Sequence, residues 1–463
     1  MAELPALAGR WRPVLLIVLI AVALRLYGLG EWSLWEDEET TIYFSYHTEK
    51  TFPRAFPAFF LLLGHTFRYT GCSVLVGRLL AAAIGVLSLF LIYGVARRFT
   101  SPSVALTALI AVAISPGHLF WSQSIRYYGL VICVQTIAIW LFLEGIRRRH
   151  AFITACSLAA VALAMTVHVS AVLIVPVFAV YLVWLAWRRG LTTTTAIAIA
   201  CLLAATLAVA FRQGPMFSKM LAGGTSYVLA SARNPVHVLV TAGFYFGPPA
   251  IILAALGAWR QRTAHSDEVC FFGLLAVMPV VVLLTLSALN VINVTYYYGL
   301  IALVGFAVLA GYGVEASCTW QPRNRIAGLT LAVLYYLIVL GAYFSQAHGD
   351  RPRWREAAIH VAHARHASAD YGPIHAQVPG VIAFYLGVPA SETMGHPLVK
   401  AWSAASLSRD EPAGWFIAEE RLVTSQEQAQ VARHCAVSGR FPASMLLRDR
   451  TVVVYHCGSR APL

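Results

Sequence analysis

The segment Trp35-Glu36-Asp37-Glu38-Glu39-Thr40-Thr41 sets four consecutive carboxylates behind a tryptophan. Asp37 has the chemistry of an N-cap, and Glu38 and Glu39 then occupy the first turn of a helix continued by Ile42, Tyr43, Phe44 and Tyr46 at interfacial amphipathic spacing. The helix dipole favours ionised acids in that turn. A carboxylate kept ionised at a membrane surface can take a proton from an incoming hydroxyl or amine. The same cluster also reads as a solvated cap with no chemical role, and residue types alone leave both open.

A second constellation is cationic. Ser115-Pro116-Gly117-His118 leads through Trp121-Ser122-Gln123-Ser124-Ile125 to Arg126-Tyr127-Tyr128, which puts one arginine at the mouth of the next apolar run. Lys50 and Arg54 follow the acids, and Arg78 opens the second apolar run. The topology argued below turns these residues outward, against the usual bias of basic residues to the cytoplasmic side, so they suit an anionic partner. A lipid-linked phosphate fits, because guanidinium groups bind phosphate bidentately. Snorkelling to ordinary headgroups is the alternative.

His65, His168 and Tyr297 are further pocket candidates, against readings as hydrogen-bonded interfacial histidines and an aromatic belt at Tyr296-Tyr297-Tyr298. Asn293-Val294-Thr295 has the glycosylation spacing. No metal-ligand spacing, phosphate loop or Ser/His/Asp order stands out. The expected cofactor is therefore none, with a hard divalent cation (Mg or Mn) on the carboxylates as the alternative.

The elements that must position these groups follow from composition. The chain has 463 residues, 59% hydrophobic and 12% charged, and a mean hydropathy of +0.69, which excludes an ordinary soluble globule. Eleven apolar runs are expected to span a membrane, at 13–30, 73–96, 102–116, 127–146, 151–167, 169–187, 192–211, 237–258, 268–287, 297–317 and 326–345. The formal charge of +13 needs no nucleic acid. Basic groups at Arg10/Arg12, Arg97/Arg98, Arg147 to Arg149, Arg188/Arg189, Arg260/Arg262 and Arg323/Arg325 lie two spans apart, as the positive-inside rule requires.

With the N-terminus cytoplasmic, the loops 31–72, 117–126, 212–236 and 288–296 face outward, as does everything after about 346. Outside the final 118 residues, every carboxylate away from a cytoplasmic end lies in the first outward loop: Glu31, Glu36, Asp37, Glu38, Glu39 and Glu49. The expected architecture is thus a polytopic α-helical membrane domain, 1–345, followed by a small extracytoplasmic α/β domain, 346–463, with helix-like Trp354 to Ala367 and strand-like Thr451 to Tyr455. Cys435 and Cys457 fall in that domain, where an oxidising compartment would let them pair; two free thiols are the alternative.

The order of these features resembles the C-type polyprenyl-phosphate-sugar glycosyltransferases, which include bacterial relatives of the protein mannosyltransferases and of the lipid A aminoarabinose transferase. Trp35, Asp37 and Glu38 after the first run, Arg78 opening the second, the Ser-Pro, Ser-Gln and Arg-Tyr order of Ser115 to Tyr127, and Arg353-Trp354-Arg355-Glu356 leading to Phe384-Tyr385-Leu386 carry the likeness. It implies inverting transfer of a sugar from a lipid phosphate carrier to a lipid, glycan or protein acceptor at the outer face of the cytoplasmic membrane. Asp37 would be the general base, with Glu38 orienting the acceptor or sharing that role. Arg126 would hold the donor phosphate, flanked by Tyr127.

Two positions depart from the family pattern. Phe56-Pro57-Ala58-Phe59 stands where relatives have His-Pro or Pro-Pro, and Tyr296-Tyr297-Tyr298 stands where they tend to have Arg-Tyr, which removes an expected phosphate ligand. Lys50, Arg54, Arg212, Lys219 or Arg233 would compensate. The rival function is a transporter or flippase of a lipid-linked substrate, which would gather its binding groups at the bilayer midplane on repeated halves. A non-catalytic assembly subunit is a third.

Overall fold

A computed structural model of the chain describes residues 4–50, 58–193, 195–200, 202, 204, 234–289, 295–368, 371–402, 414–445 and 448–458. The first half is helical: α1 (Leu4–Leu26), α2 (Glu36–Tyr46), α3 (Ala58–Thr70), α4 (Val74–Phe99), α5 (Pro102–Ala113), α6 (Pro116–Ser122), α7 (Tyr128–Arg148), α8 (Ala151–Val167) and α9 (Ile174–Arg189). Then come α10 (Pro235–Phe246), α11 (Pro248–Gln261), α12 (Ser266–Ala288), α13 (Ala302–Ser317) and α14 (Pro322–Ser345). Apolar sequence this long must satisfy its backbone internally, and helices do so.

Among the described residues, five helices are long and apolar enough to cross a membrane, and seven when each of two bent pairs counts as one. The bends correct the expected runs at 102–116 and 237–258. Helices α5 and α6 meet at 63°, and α10 and α11 at 89°. In both cases a proline starts the second helix (Pro116, Pro248), and helical backbone is disfavoured at the residue before a proline; Ser115 is extended and Gly247 has positive φ. The run at 151–167 is a 17-residue helix, and the run at 169–187 opens as a single 3-10 turn, Val169–Leu173. Half of 192–211, all of Arg54, Arg212, Lys219, Arg233 and Asn293, and the Phe56-Pro57 pair lie outside the described residues.

The bundle core is aromatic and aliphatic. Phe142 and Phe178 stack at 3.9 Å, with Phe271 at 6.0 Å from Phe142. Where α11 crosses α13, the helices touch through glycine: a Cβ on Gly257 would strike the Leu309 carbonyl, and one on Gly313 the Leu253 carbonyl. Small residues at such crossings let backbones approach in the membrane.

After α14 come α15 (Trp354–Ser368), β1 (Ile374–Ala376), α16 (Pro379–Tyr385), β2 (Val399–Ala401), β3 (Gly414–Glu419), α17 (Ser425–His434), β4 (Cys435–Phe441), a short pair β5 (Ser444–Met445) and β6 (Arg448–Asp449), and β7 (Val452–Cys457). The five-stranded sheet runs β2-β1-β3-β7-β4, parallel at β1 to both neighbours and antiparallel at β7. Cys435 and Cys457 are register partners on β4 and β7 and form a disulfide.

One apolar cluster joins this sheet to the segments that follow α1. Leu34, Ile42, Phe59 and Leu63 pack with Ile125, Trp354, Val361, Ile382 and Val454, all buried. Helix α2 is therefore held between the bundle and the sheet.

Gly313→Leu is expected to lower the thermal midpoint in detergent, because backbone cannot yield as a side chain can; overpacking costs roughly 1–3 kcal/mol or more. Gly273→Ala, which would meet nothing within 4 Å, should leave the midpoint unchanged.

Candidate functional site

Four acids in the first turn start α2 without a side-chain cap, since Trp35, not Asp37, is the N-cap residue. Asp37 sits one turn before Thr41 on the same face, and Thr41 Oγ1 donates to the Asp37 carbonyl at 2.7 Å. Arg126 approaches this pair. Its Nη1 donates to the Asp37 carbonyl (3.1 Å) and to Thr41 Oγ1 (2.9 Å), and its Nη2 lies 3.6 Å from the Asp37 carboxylate. Nη2 also donates to the Tyr127 hydroxyl at 2.9 Å, and the guanidinium lies 4.5 Å from the Tyr127 ring centre.

The Arg126 side chain is 10% exposed and that of Asp37 is 34% exposed, so the ion pair opens to solvent on the carboxylate side. Burial alone would weaken the Arg126 charge, and the Asp37 carboxylate outweighs it, so the pKa moves up and the guanidinium stays charged. Arg126 Nε has no hydrogen-bond partner among the described residues. A buried guanidinium donor without an acceptor is costly. A phosphate oxygen would supply the missing acceptor.

Aromatic rings surround Arg126. Tyr127 stacks on His168 at 4.7 Å, His168 faces Tyr298 at 5.5 Å, and Tyr128 packs on Trp121 at 4.3 Å and on Tyr297 at 5.0 Å. Trp35 closes the side nearest the acids, 5.9 Å from Trp121. His168 Nδ1 is engaged with Ser170, so the ring is oriented from behind. The structure thus brings together Asp37, Arg126, Tyr127, His168 and Tyr297. It adds Thr41, Tyr128 and Tyr298, which spacing alone did not mark.

Glu38 and Arg78 correct the sequence reading. Glu38 is fully buried, and Arg78 donates to it from Nε (2.9 Å) and Nη2 (2.7 Å). The other Arg78 donors go to the carbonyls of Leu29, Trp32 and Ser33. All five N–H groups of Arg78 are used, which leaves none for a phosphate. The Ile125 N–H donates to Glu38 Oε1 at 2.9 Å, and Arg351 Nε lies 3.5 Å from Oε2. Burial opposes the Glu38 anion, but Arg78, Arg351 and the Ile125 amide prevail and depress its pKa. Glu38 cannot reach an acceptor; it anchors α2.

The remaining candidates lie elsewhere. Lys50 is exposed beyond the end of α2, 3.4 Å from the Tyr43 hydroxyl. His65 lines a separate cleft of about 420 Å³ with Ser45, Tyr46 and Arg68. A divalent cation does not fit the donors present: Glu38 is saturated by arginines, Asp37 faces Arg126, and no three His, Cys, Asp or Glu side chains gather among the described residues. Arg351 escaped the sequence reading, although its place after the last apolar run carries the same outward-basic signal that marked Arg126.

Glu39 points to the sheet side. It is 4% exposed, accepts from Thr393 Oγ1, and has Gly380 against its carboxylate. Burial raises its pKa from 4.5 to about 7, with Thr393 opposing and Glu36 adding to the rise. The folded state therefore holds a proton that the unfolded chain would release, and stability falls as pH climbs through that window, by up to roughly 3 kcal/mol. Protection factors over 379–393, with the intrinsic pH dependence of amide exchange divided out, should fall between pH 5 and pH 8, and Glu39→Gln should flatten that fall. Glu38→Gln leaves Arg78 buried without its counter-charge, at a cost of about 3–5 kcal/mol, and should lower the thermal midpoint far more than Glu39→Gln.

Residues 53–211 match the family described as dolichyl-phosphate-mannose-protein mannosyltransferase. No curated protein matches the chain. Among solved structures it is similar to ArnT from Cupriavidus metallidurans in the apo state, at 14% identity and TM-score 0.53, covering 97% of this chain and 98% of that one. The same protein bound to undecaprenyl phosphate matches at 14% identity and TM-score 0.51, over 96% and 97%. The archaeal oligosaccharyltransferase AglB from Archaeoglobus fulgidus, in complex with an inhibitory peptide and a dolichol-phosphate, matches at 12% identity and TM-score 0.56, over 96% of this chain and 74% of that one. The chain thus shares its fold with ArnT and AglB over nearly its whole length, and residues 53–211 match the family model of the dolichyl-phosphate-mannose-protein mannosyltransferases.

Proposed function

We propose that the chain transfers a sugar from a polyprenyl-phosphate carrier to a lipid, glycan or protein acceptor, with inversion, at the outer face of the cytoplasmic membrane. The observation that carries this reading is the half-exposed Asp37 carboxylate 3.6 Å from a buried Arg126 whose Nε lacks an acceptor. The family match over 53–211 and the lipid phosphates bound in the similar structures support it.

In this reading Asp37 removes the proton from the acceptor O–H or N–H as that atom attacks the anomeric carbon. The bond from that carbon to the phosphate oxygen breaks, and its electron pair leaves with the phosphate. The donor phosphodiester carries one negative charge and the leaving monoester gains a second. A guanidinium therefore binds the transition state better than the ground state, which is what catalysis requires. No general acid is needed for so stable a leaving group. The tyrosines give the sugar apolar ring faces, and a single base opposite the leaving group enforces inversion. The topology we infer has eleven spans and a cytoplasmic N-terminus, with the disulfide-bearing sheet outside the membrane in an oxidising compartment.

The test is transfer of labelled mannose from polyprenyl-phosphate mannose to endogenous acceptors in membranes carrying the protein, with other polyprenyl-phosphate sugars run in parallel. Asp37→Asn should lower turnover by about 10²–10⁴-fold with the protein still folded, the range for losing a general base. Transfer at the wild-type rate by Asp37→Asn would remove Asp37 as the base. Arg126→Gln should weaken binding of undecaprenyl phosphate by roughly 10- to 100-fold, the value of a charged hydrogen bond.

A further inference from the structure

Four residues after α14 reach back into the site. His348, Gly349 and Asp350 all have left-handed backbone, at φ of 50°, 64° and 58°. Two of the three carry side chains that disfavour it, so the turn persists only because its surroundings hold it. His348 Nε2 accepts from the Ser33 N–H at 3.0 Å, and Asp350 is bonded by the Tyr245 hydroxyl and lies 3.7 Å from Arg450. A Cβ on Gly349 would collide with the Trp32 ring.

The turn delivers Arg351, which is fully buried. Its Nη1 donates to the Gly349 carbonyl at 2.6 Å, and its Nη2 to the Gln123 carbonyl (2.9 Å) and Ser124 Oγ (2.7 Å). Its Nε lies 3.5 Å from Glu38 Oε2, an ion pair without a hydrogen bond, while the Ile125 amide donates to the other Glu38 oxygen. One guanidinium thus grips the residue next to Asp37 and the two residues that lead through Ile125 to Arg126. The Arg126 amide itself donates to the Ser124 carbonyl at 2.7 Å.

We propose that Arg351 is a positioning residue for the transfer reaction: by tying Glu38 to the Gln123–Ser124 backbone, it sets the spacing between the Asp37 carboxylate and the Arg126 guanidinium. This rests on the transferase reading above. Arg351 touches neither Asp37 nor the phosphate position, so its loss acts on turnover through geometry. A misplacement of about 1 Å at the reacting groups costs on the order of 100-fold in rate.

The experiment uses the full chain in membranes, with polyprenyl-phosphate mannose as donor, and compares Arg351→Gln, Arg351→Lys, Glu38→Gln, the double variant Glu38→Gln/Arg351→Gln and Asp37→Asn. Arg351→Gln should lower kcat by about 100-fold with donor KM changed less than about threefold. Arg351→Lys, which keeps a cation beside Glu38 and a donor toward Ser124 but loses the planar fork, should recover most of that loss and remain about three- to tenfold below wild type. The double variant should be no slower than the worse single variant, because both break one connection.

Wild-type kcat in folded Arg351→Gln, or equal losses in the Gln and Lys variants, would overturn the proposal. If Arg351→Gln does not fold, Arg351→Lys decides: reduced kcat at unchanged donor KM supports the role, and unreduced kcat ends it. Asp37→Asn separates the two levels. Full activity there defeats the transferase assignment of Asp37, whereas an inactive Asp37→Asn beside an unimpaired Arg351→Gln defeats only the role of Arg351.

Discussion

A single carboxylate sealed from water, Glu38, organises the outer end of this protein. Removing an ionised acid from solvent is affordable only when every oxygen lone pair meets a donor in good geometry. Arg78 from α4 and the Ile125 amide donate to it, and Arg351 from beyond α14 adds its charge at 3.5 Å, an ion pair without a hydrogen bond. Each comes from a different part of the chain, so the charge can be satisfied only when three distant segments are correctly placed at once. The arrangement adds little net stability by itself, because desolvation consumes most of the Coulomb gain, but it fixes position. Helix α2 is short, polar at its start and flanked by loops, and it would otherwise have few reasons to adopt one orientation.

The geometry of a helix then divides the labour among adjacent acids. Successive residues project about 100° apart. With Glu38 locked inward, Asp37 must face sideways toward Arg126 and Thr41, and Glu39 must face the sheet, where Thr393 and Gly380 receive it. Three carboxylates in a row thereby become a partly exposed partner of Arg126, an ionised group in the interior and an acid whose pKa is raised to about 7. Their chemistry differs because their surroundings differ, not their type.

This explains which parts of the site were legible in the sequence. Asp37 and Arg126 stood out because both are charged residues on the outward side of apolar runs, and charge placement relative to a membrane is a strong constraint. The helical character of α2 and the paired cysteines followed from pattern and compartment. Glu38 and Arg78 were legible as site residues but not as a closed pair, since a buried and an exposed ion pair have the same residue types. The broken helices at Pro116 and Pro248 were read as single runs because hydropathy sees composition and not direction. Tyr128, Tyr298 and Arg351 depend on contacts between segments far apart in sequence, which no local pattern encodes.

The segment that ends in Arg126 is held from below as well as from above. Arg25, fully buried in α1, donates to His118 Nδ1 at 2.8 Å, and His118 Nε2 pairs with Ser88 at 2.8 Å. An acceptor role for Nδ1 makes Nε2 the protonated nitrogen, so His118 donates to Ser88, which donates in turn to the Gly85 carbonyl. Gln123, at the end of α6, donates to carbonyls at the end of α1 and accepts from Tyr343. The path from Pro116 to Arg126 is therefore pinned at His118, Gln123, Ser124 and Ile125 before it reaches Asp37. Arg25, Arg78 and Arg351 are wholly enclosed, whereas Arg126 keeps one edge open beside a half-exposed acid. Three arginines are committed to structure, and the fourth is left beside the Asp37 carboxylate with its Nε without a partner among the described residues.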